Sequence, residues 1–314
     1  SHLVMEVSSH ALDQGRVKGA KYKVTGFSNL TQDHLDYHKS MDQYFLAKAK
    51  LFTKEYADLA VINIDDQYGK KLAAQVEIPL VTVSRKDSAA SWYLSSAKAK
   101  GSGYQVEIQS SSGEKINAEF ALIGDYNLDN LLLAVAMVSA AGMPANQIAS
   151  AISKLKSVPG RLESVSAGQK FTALVDYAHT PDAVGSVLAT ARAFTEGKVI
   201  AVLGCGGDRD ASKRPLMGRA LSEGASIAIF TSDNPRSEKA DAILVQMTLG
   251  LDIQEPSAII EDRADAIRAA VNEAQAGDVV LVLGKGHEKG QEIAGVNQPF
   301  DDRVELAKAI EDKK

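Results

Sequence analysis

Three short stretches hold residues whose types and spacing could do chemistry. In "MDQYFLAKAKLF" (41 to 52), Tyr44 and Phe45 precede Lys48 by four and three residues, and Leu51 and Phe52 follow it by three and four. A helix here centres Lys48 on its apolar face and turns Lys50 almost the opposite way. Burial disfavours an ammonium, and a neutral amine can take up carbon dioxide to become a carbamate, a carboxylate-like metal ligand. Alternatively, Lys48 lays its stem on the apolar face and keeps its charge in water. In "DHLDYH", Asp33, His34, Asp36 and His38 fall within six residues. Histidines four apart could share a helical face and bind zinc, but no glutamate stands between them as a metalloprotease needs. The segment reads as a loop of solvated residues after a strand. Glu6, ending "LVMEV", is a candidate carboxylate for a hard cation such as magnesium. The third stretch, "TSDNPR" (231 to 236), follows the apolar run "SIAIF". Turn chemistry alone explains its Asp, Asn and Pro, while Arg236 offers a planar fork for a carboxylate.

The elements that must position these groups alternate along the chain. In the second half, "FTALVDYAH", "KVIAVLGCGGD", "SIAIFTSDNPR" and "DVVLVLGKGHE" are strands ending in glycine or polar residues, separated by helical patterns such as "RPLMGRALSEG" and "DRADAIRAAVNEAQAG". Such alternation predicts a mainly parallel sheet that binds ligands at the carboxyl ends of its strands, so the polar endings should share one rim. In the first half, strands are expected at "LVMEVSS", "VTGFSNL", "LAVINID" and "PLVTVS". A Ser/Gly-rich patch (95 to 113) lies between antiparallel candidates such as "YQVEIQ" and "KINAEFAL", and a helix spans 127 to 141. Ser40 with Gln43 has capping-box spacing ahead of the Lys48 helix. A boundary near "SVPGR" divides the chain into 1–157 and 158–314. Neither "GCGGDR" nor "GKGHEKG" completes a dinucleotide or phosphate-loop signature, so their glycines serve tight turns and close backbone approach.

Composition narrows the partners. The 314 residues carry 35 Lys and Arg against 40 Asp and Glu, a net charge of -5, with 45% hydrophobic residues. No basic tract offers the footprint for nucleic acid, and no apolar run is long enough for a membrane span. The single cysteine, Cys205, excludes an intramolecular disulfide framework and suits a cytoplasmic protein. The chain starts in a strand-like pattern with no signal-peptide features, so further sequence is expected upstream.

The motifs "MEVSSHAL", "NLTQDHLDYH", "YFLAKAKLF", "GDYNLDNLLLA", "PGRLE", "DYAHTPD", "GCGGDRDASKRPLMG", "SDNPR" and "GKGHE" run in the order and rough spacing of the Mur ligases, and resemble their diaminopimelate-adding type most. The resemblance covers Leu3 to the C-terminus. The family's UDP-gripping N-terminal domain and its G-T-x-G-K-T phosphate loop are not in the sequence. The resemblance implies an α/β fold: a central mixed-sheet ATPase-like domain, truncated, followed by a Rossmann-like, mainly parallel C-terminal domain. It implies an ATP-dependent amide ligase of peptidoglycan precursor synthesis, in which the D-glutamate side chain of UDP-MurNAc-L-Ala-D-Glu is phosphorylated and meso-diaminopimelate attacks the acyl phosphate, with Mg2+ neutralising phosphate charge. Lys48 aligns with the lysine carbamylated in the family, and Glu6 and His34 with positions near the metal. Ser8, Gln14 and Arg16 match contacts to the muramoyl-peptide, and Asn127, Arg161 and Asp176 match residues holding adenine, phosphate and ribose. Arg209, Asp233, Asn234, Pro235, Arg236, Gly284 and Glu288 match the amino-acid site.

That assignment makes chemical sense. Diaminopimelate carries a distal carboxylate that lysine lacks, which suits an arginine fork, and a distal ammonium that suits Glu288, while Pro235 fixes the loop. A lysine-adding ligase or a folylpolyglutamate synthase relative is the nearer alternative. A non-catalytic amino-acid-binding module is the more distant one, and a nicotinamide oxidoreductase lacks its glycine signature. The chain is expected to be a monomer acting on small molecules, and by itself catalytically incomplete.

Overall fold

The computed structural model describes residues 2–100, 103–122, 124–155 and 158–313. The chain divides into two compact units, Ser1–Lys156 and Ser157–Lys314.

In the first unit six strands stand side by side in sequence order: β1 (Thr25–Phe27), β2 (Ala60–Asn63), β3 (Leu80–Ser84), β4 (Trp92–Lys100), β5 (Gly103–Ser110) and β6 (Lys115–Phe120). β1 to β4 are parallel, and β4, β5 and β6 run antiparallel. The two-residue period of a strand divides β2 between two cores. Ala60 and Ile62 join α1 (Ser9–Asp13), α3 (Met41–Ala49) and α4 (Gln67–Ala73), whereas Val61 joins α5 (Asp125–Ala140) and α6 (Ala145–Ile152) on the other face. A short helix, α2 (Leu35–His38), precedes α3. Side-chain caps start the helices where the sequence offers them: Ser8 accepts from the amide of Ala11, Ser40 from Gln43, and Asp66 from Tyr68 and Gly69.

Two expectations about strands fail in this unit. "LVMEVSS" forms no strand: residues 2–8 carry no regular structure, and Leu3 and Val4 are 82% and 89% exposed. β-Branched and apolar residues favour a strand only where a neighbour supplies the hydrogen-bond ladder, and no described strand flanks β1 on that side. The Ser/Gly-rich patch is not a connection but lies largely within the β4–β5 pair, registered from Trp92 opposite Ser110 to Lys100 opposite Gly103. Antiparallel strands with one solvated face tolerate such residues, and β6 shows the same one-sidedness, burying Ile116, Ala118 and Phe120 while exposing Lys115, Asn117 and Glu119.

The second unit contains β7 (Glu163–Ser164), β8 (Thr172–Asp176), β9 (Val199–Cys205), β10 (Ile227–Ser232), β11 (Ala258–Ile259) and β12 (Val279–Leu283), in the order β11-β10-β9-β12-β8-β7. All neighbours are parallel except the β7–β8 pair. β9, β10 and β12 are buried throughout, as strands covered on both faces must be. Alternate residues such as Val202, Ile229 and Val282 pack against α10 (Arg263–Glu273) and α11 (Asp302–Asp312). α7 (Pro181–Ala193), α8 (Arg214–Gly224) and α9 (Ala240–Met247) also contact β9. A hairpin, β13 (Gly290–Ile293) and β14 (Val296–Pro299), follows β12. No helix among the described residues is long and apolar enough to cross a membrane.

Because β8, β9, β10 and β12 are parallel, their carboxyl ends, Asp176, Cys205, Ser232 and Leu283, lie on one rim, as expected. Arg263, the first residue of α10, lies wholly buried beneath that rim. Its Nε and Nη2 donate to the carboxylate of Asp302 at 2.7 and 2.8 Å, while Nη1 reaches the carbonyl of Ser232 at 3.2 Å and Nη2 that of Leu283 at 2.9 Å. One guanidinium thus satisfies the last carbonyls of β10 and β12. Asp302→Ala strands that cation in the core and should cost about 3–5 kcal/mol. Hydrogen exchange of the slowest β10 and β12 amides measures this loss, and a change below about 1 kcal/mol contradicts the assignment.

Candidate functional site

The loops leaving β9, β10 and β12 bring the amino-acid-site candidates together. After β10, Asp233, Asn234 and Pro235 are buried, and Arg236 takes a left-handed φ of 54°. Such a conformation is uncommon outside glycine and needs support. β13 supplies it: the Arg236 amide donates to the carbonyl of Glu292 at 3.0 Å, and the Ala294 amide donates to the carbonyl of Arg236 at 2.7 Å. Gln291 in the same hairpin donates to the Ser232 hydroxyl and the Asp233 carbonyl.

Asn234 sits at the hub of a polar network. Its Nδ2 donates to Glu288 Oε2 at 2.9 Å, while its Oδ1 accepts from Lys285 Nζ and from the Glu292 amide, both at 2.9 Å. Lys285, 0% exposed, also donates to Glu288 Oε2 at 3.1 Å. The hydrogen bonds from Asn234 and Lys285 hold the half-buried Glu288 carboxyl below its usual range, although burial, the largest influence, opposes them. Burial pushes the carboxyl of Asp233 up, against the pull of Arg263 and Lys285. Gly284 has φ 111°, and a Cβ there would come within 2.7 Å of the Asp233 carboxylate, so glycine is needed for both reasons.

A second lock joins the loops after β9 and β10. Arg214 is buried and grips Glu238 through two hydrogen bonds, Nη1 to Oε2 at 2.8 Å and Nη2 to Oε1 at 2.7 Å. Glu238 Oε1 also accepts from the amide of Asp208, whose carboxylate takes the Ser237 hydroxyl. Across the same seam Arg236 Nη1 donates to the Gly207 carbonyl at 2.6 Å, and its Nε lies 3.5 Å from Glu292. Arg209 is exposed beside it, donating to the Asp208 carbonyl. The loops of this rim therefore carry two guanidinium groups, Arg209 and Arg236, together with the Glu288 carboxylate held by Asn234.

Arg161 and Asp176 also belong to the second unit. The guanidinium of Arg161 lies 5.0 Å from the centre of the Tyr177 ring, whose other neighbours are His179 and His287. Asp176 is not laid open: it is buried, and its two carboxylate oxygens accept from the amides of Leu162 and Ala178 at 2.7 and 2.8 Å. It ties down the turn that carries Arg161. Asn127 lies in the first turn of α5, in the first unit.

In the first unit Lys48 sits in a pocket lined by Val7, Leu12, Gly26, Phe27, Ser28, Asn29, Leu51 and Phe52, with Nζ 5.2 Å from the Tyr44 ring centre. Burial pushes its ammonium below the usual lysine range, although Glu6 and Asp33 pull the other way. Lys50 is exposed and pairs with Asp13 at 3.0 Å, as the spacing requires. "DHLDYH" is not a solvated loop: it contains α2, and His38 is buried, its Nε2 2.8 Å from the Ser9 hydroxyl and its ring stacked on Tyr44. Buried apolar neighbours recruit that imidazole, which removes it from any zinc pair with His34. His34 instead meets the rings of His10 and Tyr44 and lies 3.6 Å from Asp33. Ser8 caps α1, while Gln14 and Arg16 are exposed just beyond it. Among the described residues no three His, Cys, Asp or Glu side chains converge as a metal cluster.

Profiles of the Mur ligase middle domain and of the Mur ligase glutamate ligase domain match residues 1–138 and 160–286. The chain belongs to the Mur ligases. It is 46% identical over 318 residues to the UDP-N-acetylmuramoyl-L-alanyl-D-glutamate--2,6-diaminopimelate ligase of Streptomyces coelicolor, an alignment covering 98% of this chain and 62% of that protein. A solved structure bearing the same ligase name is 38% identical with a TM-score of 0.61, covering 98% of this chain and 64% of that one. A Mycobacterium tuberculosis folylpolyglutamate synthase, at 19% identity and TM-score 0.68 over 83% of this chain, shares the fold. The chain thus spans somewhat under two thirds of the length of the diaminopimelate ligases it matches.

In this Mur ligase the groups that sequence reading missed are the buried ones: Lys285, Arg263 with Asp302, and Arg214 with Glu238. The hydrogen bonds from Arg214 hold the Glu238 carboxyl down at about 2, against an ordinary value of 4.5. A depressed folded pKa gives stability that is complete above the unfolded value and is lost as pH falls through the folded one. The parent chain should therefore exceed Glu238→Gln in thermal stability at pH 7, the gap narrowing from about pH 4.5 and closing near pH 2. A pH-independent gap between the two melting curves contradicts the pairing.

Proposed function

We propose that the chain provides the amino-acid-binding site and the lysine-bearing metal site of an ATP-dependent ligase that joins meso-diaminopimelate to UDP-MurNAc-L-Ala-D-Glu. The observation that carries this reading is that one rim holds groups of opposite charge, Arg236 and Arg209 together with Glu288, which Asn234 hydrogen-bonds. A free amino-acid centre has one carboxylate and one ammonium, and a rim holding both complements pre-arranged suits it. Arg236 keeps unused N–H groups of a planar fork for the distal carboxylate, and Glu288 takes the distal ammonium. The names of its relatives, 2,6-diaminopimelate ligases, point to the same amino acid.

Lys48 suits its part because burial weakens its hold on the proton, which exposes the amine to carbon dioxide. The carbamate, with Glu6 and His34, would offer the oxygen-rich donor set that magnesium prefers. A bound magnesium would neutralise phosphate charge as the phosphoryl group moves to the D-glutamate carboxylate. Ser8, at the start of α1, and Gln14 and Arg16, past its end, would receive the muramoyl-peptide. Arg161 stacked on Tyr177 offers a cation and a ring face to ATP, with Asp176 fixing its turn. A single buried thiol suits a reducing, cytoplasmic setting, and we take the enzyme to act as a monomer.

A lysine-adding ligase is the competing reading, and binding separates the two without requiring turnover. A ligand that binds only the folded state raises the melting temperature. Meso-diaminopimelate should raise it clearly more than lysine does at equal concentration, and equal shifts, or a larger one for lysine, refute the specificity. For Lys48, 13C-bicarbonate at pH 8 to 9 should give a carbamate carbonyl resonance that vanishes in Lys48→Arg. A spectrum unchanged by that substitution rules out modification at this residue.

A further inference from the structure

Lys285 has no place in the roles above, yet it is a wholly buried charge that touches the rim. Its Nζ sees no water and donates to two side chains that would meet the amino acid, Asn234 and Glu288. Burying an ammonium is costly, and a wholly buried lysine needs fixed acceptors on the same side. Here it has an amide oxygen and a carboxylate oxygen, at 2.9 and 3.1 Å.

Those two bonds remove freedoms the site would otherwise have. An Asn side chain can turn its amide by half a turn, exchanging donor for acceptor. At Asn234 the ammonium of Lys285 and the amide of Glu292 both require the oxygen on their side, so Nδ2 must point at Glu288. Glu288 Oε2 then accepts from both Asn234 and Lys285. Its Oε1 has no hydrogen-bond partner among the described residues, and the side chain is 34% exposed. One carboxylate oxygen is thus anchored and the other offered outward.

We propose that Lys285 is a positioning and specificity residue: it fixes the Asn234 amide and anchors Glu288, so that Glu288 Oε1 is presented to the distal ammonium of the incoming amino acid. This rests on the amino-acid-site reading above. The ammonium never touches the ligand in this arrangement. It acts through the two groups that do.

The test compares meso-diaminopimelate with 2-aminopimelate, which keeps both carboxylates but lacks the distal amine, by calorimetric titration of the full chain. The parent should prefer diaminopimelate by at least about tenfold, the scale of a hydrogen bond to a charged group. Lys285→Met should lower diaminopimelate affinity and leave 2-aminopimelate nearly unchanged, so that the preference falls to about twofold or less. A purely structural lysine would weaken both ligands by the same factor and preserve the preference, which overturns the inference. Asn234→Asp keeps Lys285 but faces Glu288 with a second acceptor. It should lose the preference likewise, and it decides the matter if Lys285→Met does not fold. A preference retained in Asn234→Asp overturns the inference too. If the parent binds diaminopimelate no better than 2-aminopimelate, the role given to Glu288 fails first and the inference falls with it.

Discussion

The last carbonyls of β10 and β12 emerge from an apolar, fully covered pair of strands, and the buried guanidinium of Arg263 is what receives both of them. A carbonyl left unmet there would cost the desolvation of a polar group, and two would disfavour the loops that carry Asn234 and Lys285. Arg263 is itself tolerable only because Asp302 takes its charge with paired hydrogen bonds. The ion pair joins the start of α10 to the start of α11 under the rim. Its position explains why strand ends that are distant in sequence can present side chains in fixed relation.

Above that pair the rim is built from mutual constraints between loops. The Arg214–Glu238 lock and the bond from Arg236 to the Gly207 carbonyl hold the loops after β9 and β10 together. The β13–β14 hairpin holds the left-handed backbone of Arg236. In the proposed role, preset groups would spare an incoming amino acid the entropy of ordering them, which would favour recognition by geometry as well as by charge. Pro235 and Arg236 consequently divide their work: one limits the backbone, while the other keeps a guanidinium tethered at one nitrogen with N–H groups to spare.

Much of this was legible before the structure. Alternating apolar runs and glycine endings gave the parallel sheet and its shared rim, and helical spacing gave the half-buried Lys48 and the exposed Lys50. Motif order pointed to the family. The missing parts are those that depend on long-range partners. Nothing local marks Lys285 as wholly buried, because Asn234 lies 51 positions away. Arg263 follows an N-capping Asp262 and reads as an ordinary first-turn arginine until Asp302 is found beside it. His38 looked solvated because its cover, Ser9 and Tyr44, comes from two other helices. "LVMEVSS" has strand composition without a strand's neighbour, a condition that composition does not encode.

The central claim is that an arginine fork on this rim reads the carboxylate distinguishing diaminopimelate from lysine. Arg236→Lys retains the charge and removes the fork, so calorimetric affinities of that variant for the two amino acids test it directly. The account predicts that diaminopimelate binding falls by about tenfold or more, to near that of lysine, while lysine binding is unchanged. Full retention of the preference for diaminopimelate, or an equal loss for both amino acids, would contradict it.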